Sequence, residues 1–223
     1  MNSKLLKDGV IRMVSGILLL GILLFVPAGT IAWKEGWLLM GVLFLPMLAA
    51  GIVMYLKAPN LLRSRLSAKE TQDEQKTVIL LSGIMFLTAF ITAGLNYRFG
   101  WLRMPSWCVT AACVIFLAAY ALFGEVLREN EYLSRTVEVQ EGQKVVSTGL
   151  YGIVRHPMYL ATVFLFLSMP LILNSPISFV IMLVYLPIIA KRIRNEEEVL
   201  KTELEGYTEY MDKVRWRLIP LIW

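Results

Sequence analysis

The only histidine of the chain lies in the run Gly149-Leu150-Tyr151-Gly152-Ile153-Val154-Arg155-His156-Pro157-Met158-Tyr159, directly before an apolar block. Proline suits the first position of a helix because its missing N–H would be unpaired there, so a helix is predicted to begin at Pro157 with His156 at its cap. First-turn N–H groups and the positive end of the helix dipole make that place a site for a carboxylate or phosphate. Arg155 adds a permanent charge and a bidentate donor fork. Tyr159, one turn on, falls on the face near His156. The same residues also fit a plainer account, in which Arg155 is one more positive charge at a membrane edge and His156 only a cap.

A second charged run, Lys191-Arg192-Ile193-Arg194-Asn195-Glu196-Glu197-Glu198, continues out of the last apolar block. Arg192 with Glu196 and Arg194 with Glu198 are i,i+4 pairs, which by spacing alone describe a solvated helix face of modest stabilisation. Against that, the charges begin where Ala190 leaves the apolar block, and ionisable groups at a membrane boundary often belong to a site. The intervening Val137–Val146 alternates weakly around Gly142 and reads as a small extended or hairpin segment placed to cover a site.

These two polar stretches are carried on apolar blocks. Hydrophobic residues make up 57% of the 223 and charged ones 17%, in long runs that water cannot solvate. A spanning helix needs about 20 mostly apolar residues. Val10–Ala32, Trp37–Leu56, Val78–Tyr97 and Pro105–Phe123 come close to that length, and the shorter Pro157–Leu173 and Ile177–Ala190 are joined at Asn174-Ser175-Pro176 as a helical hairpin. The expected fold is therefore all-α, a polytopic transmembrane bundle of five to six spans. The first block is too long for a signal-peptide core and no small-residue cleavage site follows it, so it is read as a span.

Positive charge sets the expected orientation. Three Lys and Arg precede or enter the first span, five lie between Lys57 and Lys76, four before Pro157 and seven after Ala190, against only Lys34, Arg98 and Arg103 on the other side. Both termini are thereby predicted cytoplasmic, with six crossings matching that parity. Trp33, Trp37, Trp101 and Trp107 flank spans and read as interfacial anchors. The net charge of +5 suits anionic lipid headgroups, not nucleic acid. Cys108 and Cys113 share one helix without a second pair or a His cluster, which points to buried thiols and no metal site.

The Gly149-Leu150-Tyr151 to Val154-Arg155-His156-Pro157-Met158-Tyr159 run, the hairpin, Arg192 to Glu196-Glu197 with Leu200, and the tail Leu204-Glu205-Gly206-Tyr207 through Tyr210 to Arg217-Leu218-Ile219-Pro220 together resemble one family. It is the isoprenylcysteine carboxyl methyltransferase and phospholipid methyltransferase superfamily of membrane enzymes. The tail departs from many members in having Glu205 before Gly206, Tyr207 directly after it, and Trp216 before the final Arg. The resemblance implies an S-adenosylmethionine-dependent methyltransferase in the cell inner membrane, with membrane lipids around it and a lipophilic acceptor entering from the bilayer. It divides the chain into a four-span region, 1–124, and a methyltransferase-like region, 125–223, with a cytoplasmic cofactor site. It also implies cofactor contacts from Arg155, His156, Tyr159, Glu197 and Tyr207, with Arg192 and Glu197 as the catalytic pair beside the transferred methyl. Absence of a Gly-rich strand-to-helix turn agrees with a family that binds its cofactor without a Rossmann domain. Two other readings stand beside it: a membrane NADPH-dependent sterol-type reductase of related fold, and a non-enzymatic membrane scaffold.

Overall fold

A computed structural model describes residues 3–67, 73–130, 132–133 and 139–223. Its order is α1 (Ser3–Ala28), α2 (Lys34–Lys57), α3 (Pro59–Ser67), α4 (Asp73–Phe99), α5 (Ser106–Glu129), a 3-10 turn (Gly149–Gly152), α6 (Pro157–Ile172), α7 (Pro176–Met182), α8 (Tyr185–Glu203) and α9 (Tyr207–Lys213). The described residues contain no strand. Among the described residues five helical stretches are long and apolar enough to span a bilayer: α1, α2, α4, α5, and α7 with α8 taken together over Pro176–Glu203. The chain is an integral membrane protein. Helix α6, with 16 residues, is shorter. At about 1.5 Å per residue it covers roughly 24 Å, less than the roughly 30 Å of a hydrocarbon core.

The helices cover the blocks that hydropathy marks, with α1 starting earlier at Ser3, α5 running on to Glu129, and the last block broken between α7 and α8, which continues to Glu203. Helix α1 stops at Ala28 although Thr30–Ala32 continue the apolar block, because Gly29 takes φ +70 and donates its N–H back to Phe25 and Val26. The chain then turns so that Trp33 is fully buried, stacked on Tyr97 with ring centroids 5.0 Å apart. Trp33 is thus a core residue where an interfacial anchor was expected. Trp37, Trp101 and Trp107 stay exposed, and the Trp37 indole donates to the Ile31 carbonyl at 2.7 Å.

Helices α1 and α4 approach closely at Gly94, where a Cβ would stand 2.7 Å from the Leu24 carbonyl oxygen. Small residues allow such contact in membranes, where van der Waals packing replaces the hydrophobic drive. One apolar cluster joins α1, α2, α4, α5 and α6, and a second joins α4, α6, α7 and α8 to Leu218 of the tail. At the hairpin tip, Asn174 adopts φ +54 and Ser175 caps α7 through Ser178. Asn96 of α4 donates to the carbonyls of Leu102 and Asn174 and accepts from Leu102 N–H, while the Asn174 side chain accepts from Met104 N–H. These amides close that end of the bundle.

At the opposite end of α4 the C-terminal tail returns to the start of α6. Arg155 and His156 donate their backbone N–H groups to Trp216 and Arg217 carbonyls at 2.9 Å. Of the segment expected to be extended, Val137 and Glu138 lie outside the described residues; the rest is a turn at Gly142, with Gln143 and Gln140 bonded to each other across it.

Candidate active site

The turn before α6 is positioned from α5. Gly149 has φ +57, and a Cβ there would lie 1.9 Å from Glu129 Oε1, so only glycine fits. The Glu129 carboxylate accepts the Leu150 N–H at 2.9 Å, and Asn130 donates to the Tyr151 hydroxyl at 3.0 Å. Tyr210 of α9 donates to the Tyr151 carbonyl at 2.7 Å, which ties the tail to the same turn.

Pro157 opens α6 as expected, with His156 in the cap position but its ring turned away from the helix backbone. Its Nε2 lies 3.2 Å from Glu197 Oε1. Arg155 Nε donates to that same oxygen at 2.7 Å, and Arg217 Nε donates to Oε2 at 2.7 Å. Arg155 also gives Nη1 to the carbonyls of Val214 and Arg215 at 2.7 and 2.8 Å. Glu197 is 1% exposed and Arg155 6%. A buried carboxylate persists only when its charge is compensated, and here two guanidiniums and an imidazole surround it. Glu197 therefore locks α6, α8 and the tail together.

One position earlier on α8, Glu196 points elsewhere. It accepts a short hydrogen bond from the Tyr159 hydroxyl, while Arg192 Nε donates to that hydroxyl at 2.9 Å. His156 Nδ1 is 3.8 Å from Glu196 Oε1. Arg192 Nη1 reaches across to Gln75 Oε1 of α4 at 3.0 Å, and Gln75 Nε2 donates to Asn195 at 2.5 Å.

A cavity opens over these groups, lined by Arg155, His156, Met158, Tyr159, Arg192 and Glu196, by Leu200, Leu204, Tyr207 and Tyr210, and by Asn130 and Tyr151. Gln143 to Val146 form its further wall, which is where the sequence expects a cover. Tyr207 is 4% exposed, and its hydroxyl has no hydrogen-bond partner among the described residues. Burial, reinforced by the Glu197 and Glu196 carboxylates, pushes its phenol well above the ordinary tyrosine range, so it stays a donor. An orphaned buried hydroxyl costs about 1 to 3 kcal/mol unless something bonds to it. A ligand with polar atoms answers that cost. The wall mixes cations, a carboxylate, phenols and aliphatic side chains, which fits an amphoteric molecule such as S-adenosylmethionine.

Five of the six residues expected from the sequence, Arg155, His156, Tyr159, Arg192 and Tyr207, line this cavity. Glu197 stands behind it, and Glu196 faces it. The spacing of Arg192 and Glu196 was the available signal for Glu196. Gln75 and Arg217 had none, because their importance comes from partners distant in sequence. Among the described residues no group of three or more His, Cys, Asp or Glu side chains could hold a metal.

Such a site on such a bundle defines a helical membrane protein with a polar cavity at one end of its spans. Residues 109–202 match the family model for the isoprenylcysteine carboxyl methyltransferase (ICMT) family, so the likeness to that family holds from α5 to the end of α8. Two curated relatives are delta(14)-sterol reductases. One, from Methylotuvimicrobium alcaliphilum, is 23% identical over 54% of this chain and 32% of its own length. The other, from Arabidopsis thaliana, is 25% identical over 52% of this chain and 34% of its own. The match thus spans about a third of the length of either reductase. The solved structure of the eukaryotic intramembrane Ras methyltransferase ICMT aligns with 96% of this chain and 84% of that one, at 16% identity and a TM-score of 0.49.

Proposed function

We propose that this protein is an S-adenosylmethionine-dependent methyltransferase that modifies a lipophilic acceptor drawn from the bilayer, with the site and both termini on the cytoplasmic side of the cell inner membrane. The observation that carries the reading is the cavity that the ICMT-matching segment lines with Arg155, His156, Tyr159, Arg192 and Glu196 and that the tail beyond it closes with Tyr207, whose buried hydroxyl has no partner among the described residues. The 19 Lys and Arg residues at that end of the spans support the orientation, against Lys34, Arg98 and Arg103 at the other.

When bound, S-adenosylmethionine supplies a methyl group on a cationic sulfur that needs no further activation. The chain's task is to hold the acceptor in line and keep water away, and positioning of this kind contributes about 7 to 11 kcal/mol in favourable cases. Arg155, His156, Tyr159 and Tyr207 hold the donor, with Glu197 acting through Arg155 and His156 from behind. Arg192 and Glu196 are the pair nearest the reacting atoms. An acidic acceptor such as a carboxylate is steered by Arg192 and needs no base. An amine or thiol acceptor passes its proton to Glu196, whose oxygen also takes the Tyr159 proton in hydrogen bond.

The sterol reductase relatives favour a second reading, hydride transfer from NADPH. The test is the melting temperature of the detergent-purified protein with S-adenosylhomocysteine and, separately, with NADPH. A ligand at about 100 times its dissociation constant stabilises by about 2.7 kcal/mol. A shift with S-adenosylhomocysteine that is lost in His156→Ala is expected, and a shift with NADPH alone replaces methyl transfer by reduction.

A further inference from the structure

We infer that Gln75 is a positioning residue of the methyl-transfer site, holding Arg192 from a helix that lies outside the ICMT-matching segment; this rests on the methyl-transfer reading above. Gln75 is 0% exposed and stands at the first turns of α4, whose side chains are otherwise apolar for most of its length. Burying an amide among apolar neighbours is costly unless both of its ends are bonded, and both are. Its oxygen accepts from Arg192 Nη1 at 3.0 Å, and its nitrogen donates to Asn195 Oδ1 at 2.5 Å.

The partner distinguishes this from an ordinary tie between helices. Arg192 lines the cavity, whereas Gln75 does not. Its guanidinium is held on one edge by Gln75 from α4 and on another by the Tyr159 hydroxyl from α6. Two donors bonded to two different helices fix the plane of a side chain that otherwise has several rotatable bonds. Arginine works through a rigid fork, so fixing its plane fixes where charge and donors meet an acceptor. Gln75 thereby decides the direction of the group that steers the nucleophile, without touching substrate.

The experiment compares the full-length protein with Gln75→Leu, Gln75→Asn and Gln75→Glu in steady-state methyl transfer, alongside S-adenosylhomocysteine binding read by melting temperature. Gln75→Glu keeps an oxygen at the same reach, Gln75→Asn keeps the amide but withdraws it by one methylene, and Gln75→Leu removes it. A displacement of about 1 Å in a positioned group costs up to about 100-fold in rate. The Leu and Asn variants are therefore expected to lose about 10- to 100-fold in kcat with donor KM within about threefold, and Glu to restore kcat to within about fivefold. If Leu does not fold, the comparison of Asn with Glu decides. Unchanged kcat in the Asn variant, or equal loss in all three together with lost S-adenosylhomocysteine binding, overturns the assignment and leaves a helix tie. Failure of the unsubstituted protein to bind S-adenosylhomocysteine or transfer methyl is a separate result, which overturns the methyl-transfer reading and the role of Gln75 with it.

Discussion

The two ends of α4 carry one buried amide each, Asn96 and Gln75, and they are used in opposite ways. They are 21 positions apart, which places them roughly 30 Å apart along the helix. At the Asn96 end, neutral side-chain amides meet backbone groups of Leu102, Asn174 and Met104. That end is a closed polar clasp with no charge in it. At the Gln75 end, a carboxylate is compensated by two guanidiniums, an arginine is held between helices, and the Tyr207 hydroxyl is left without a partner among the described residues. A network that serves only the fold satisfies its members. Here the end with the unsatisfied donor and the costly buried charges is the end with the cavity.

Removing the carboxylate at the centre of the charged end is expected to have the largest effect. Glu197→Ala strands Arg155 in the interior, and breaking a buried pair in this way costs about 3 to 5 kcal/mol. A clear fall in unfolding temperature checks it; an unchanged one would mean that the tail and α6 are held by something else. Glu197→Gln, which keeps the shape of the side chain and drops its charge, is expected to lose stability as well as activity, because two guanidiniums bond to the carboxylate oxygens.

Arg192→Lys tests chemistry with little change in charge. A lysine cannot serve Tyr159 and Gln75 at once through a planar fork, so a fall in kcat of about 100-fold is expected, with melting temperature nearly unchanged. A lysine variant of full activity would reduce Arg192 to a point charge. At the other end Asn96→Ala leaves the Leu102 N–H and two carbonyls unpaired, a cost of about 1 to 3 kcal/mol, with S-adenosylhomocysteine affinity unaffected. If ligand binding falls in parallel with stability, the two ends are coupled and the contrast between them fails.

The smallest effect has two signs. Tyr207→Phe deletes a buried hydroxyl that has no partner among the described residues, so the ligand-free protein is expected to gain about 1 kcal/mol while the stabilisation by S-adenosylhomocysteine shrinks. Opposite movements of ligand-free and ligand-bound melting temperatures identify the hydroxyl as a ligand contact. Movement of both in the same direction would make it a packing residue.

Spans, the hairpin turn and the charged stretches that line the cavity were legible because each is written in neighbouring residues. Hydropathy is a local sum, and Asn174-Ser175-Pro176 supplies at once a left-handed residue, a cap and a first-turn proline. The charge-rich stretches around Arg155 and Arg192 stood out for the same reason, as did the cap position of His156. What the sequence by itself determined is thus the succession of apolar helices and which stretches of the chain carry the charge, not the short helices α3 and α9 or the break between α7 and α8. Only the tertiary structure decided which acidic residue of α8 meets the cavity. Adjacent helical positions point about 100° apart, and the rotation of α8 is set by the packing of Ile189 and Ile193 against its neighbours. It likewise decided that Trp33 is core and that Gln75 holds Arg192 across 117 positions. Such pairings depend on how helices lie against one another, and that is fixed by the shapes of whole apolar faces and by the compensation of buried charge, neither of which is a property of any short stretch of chain.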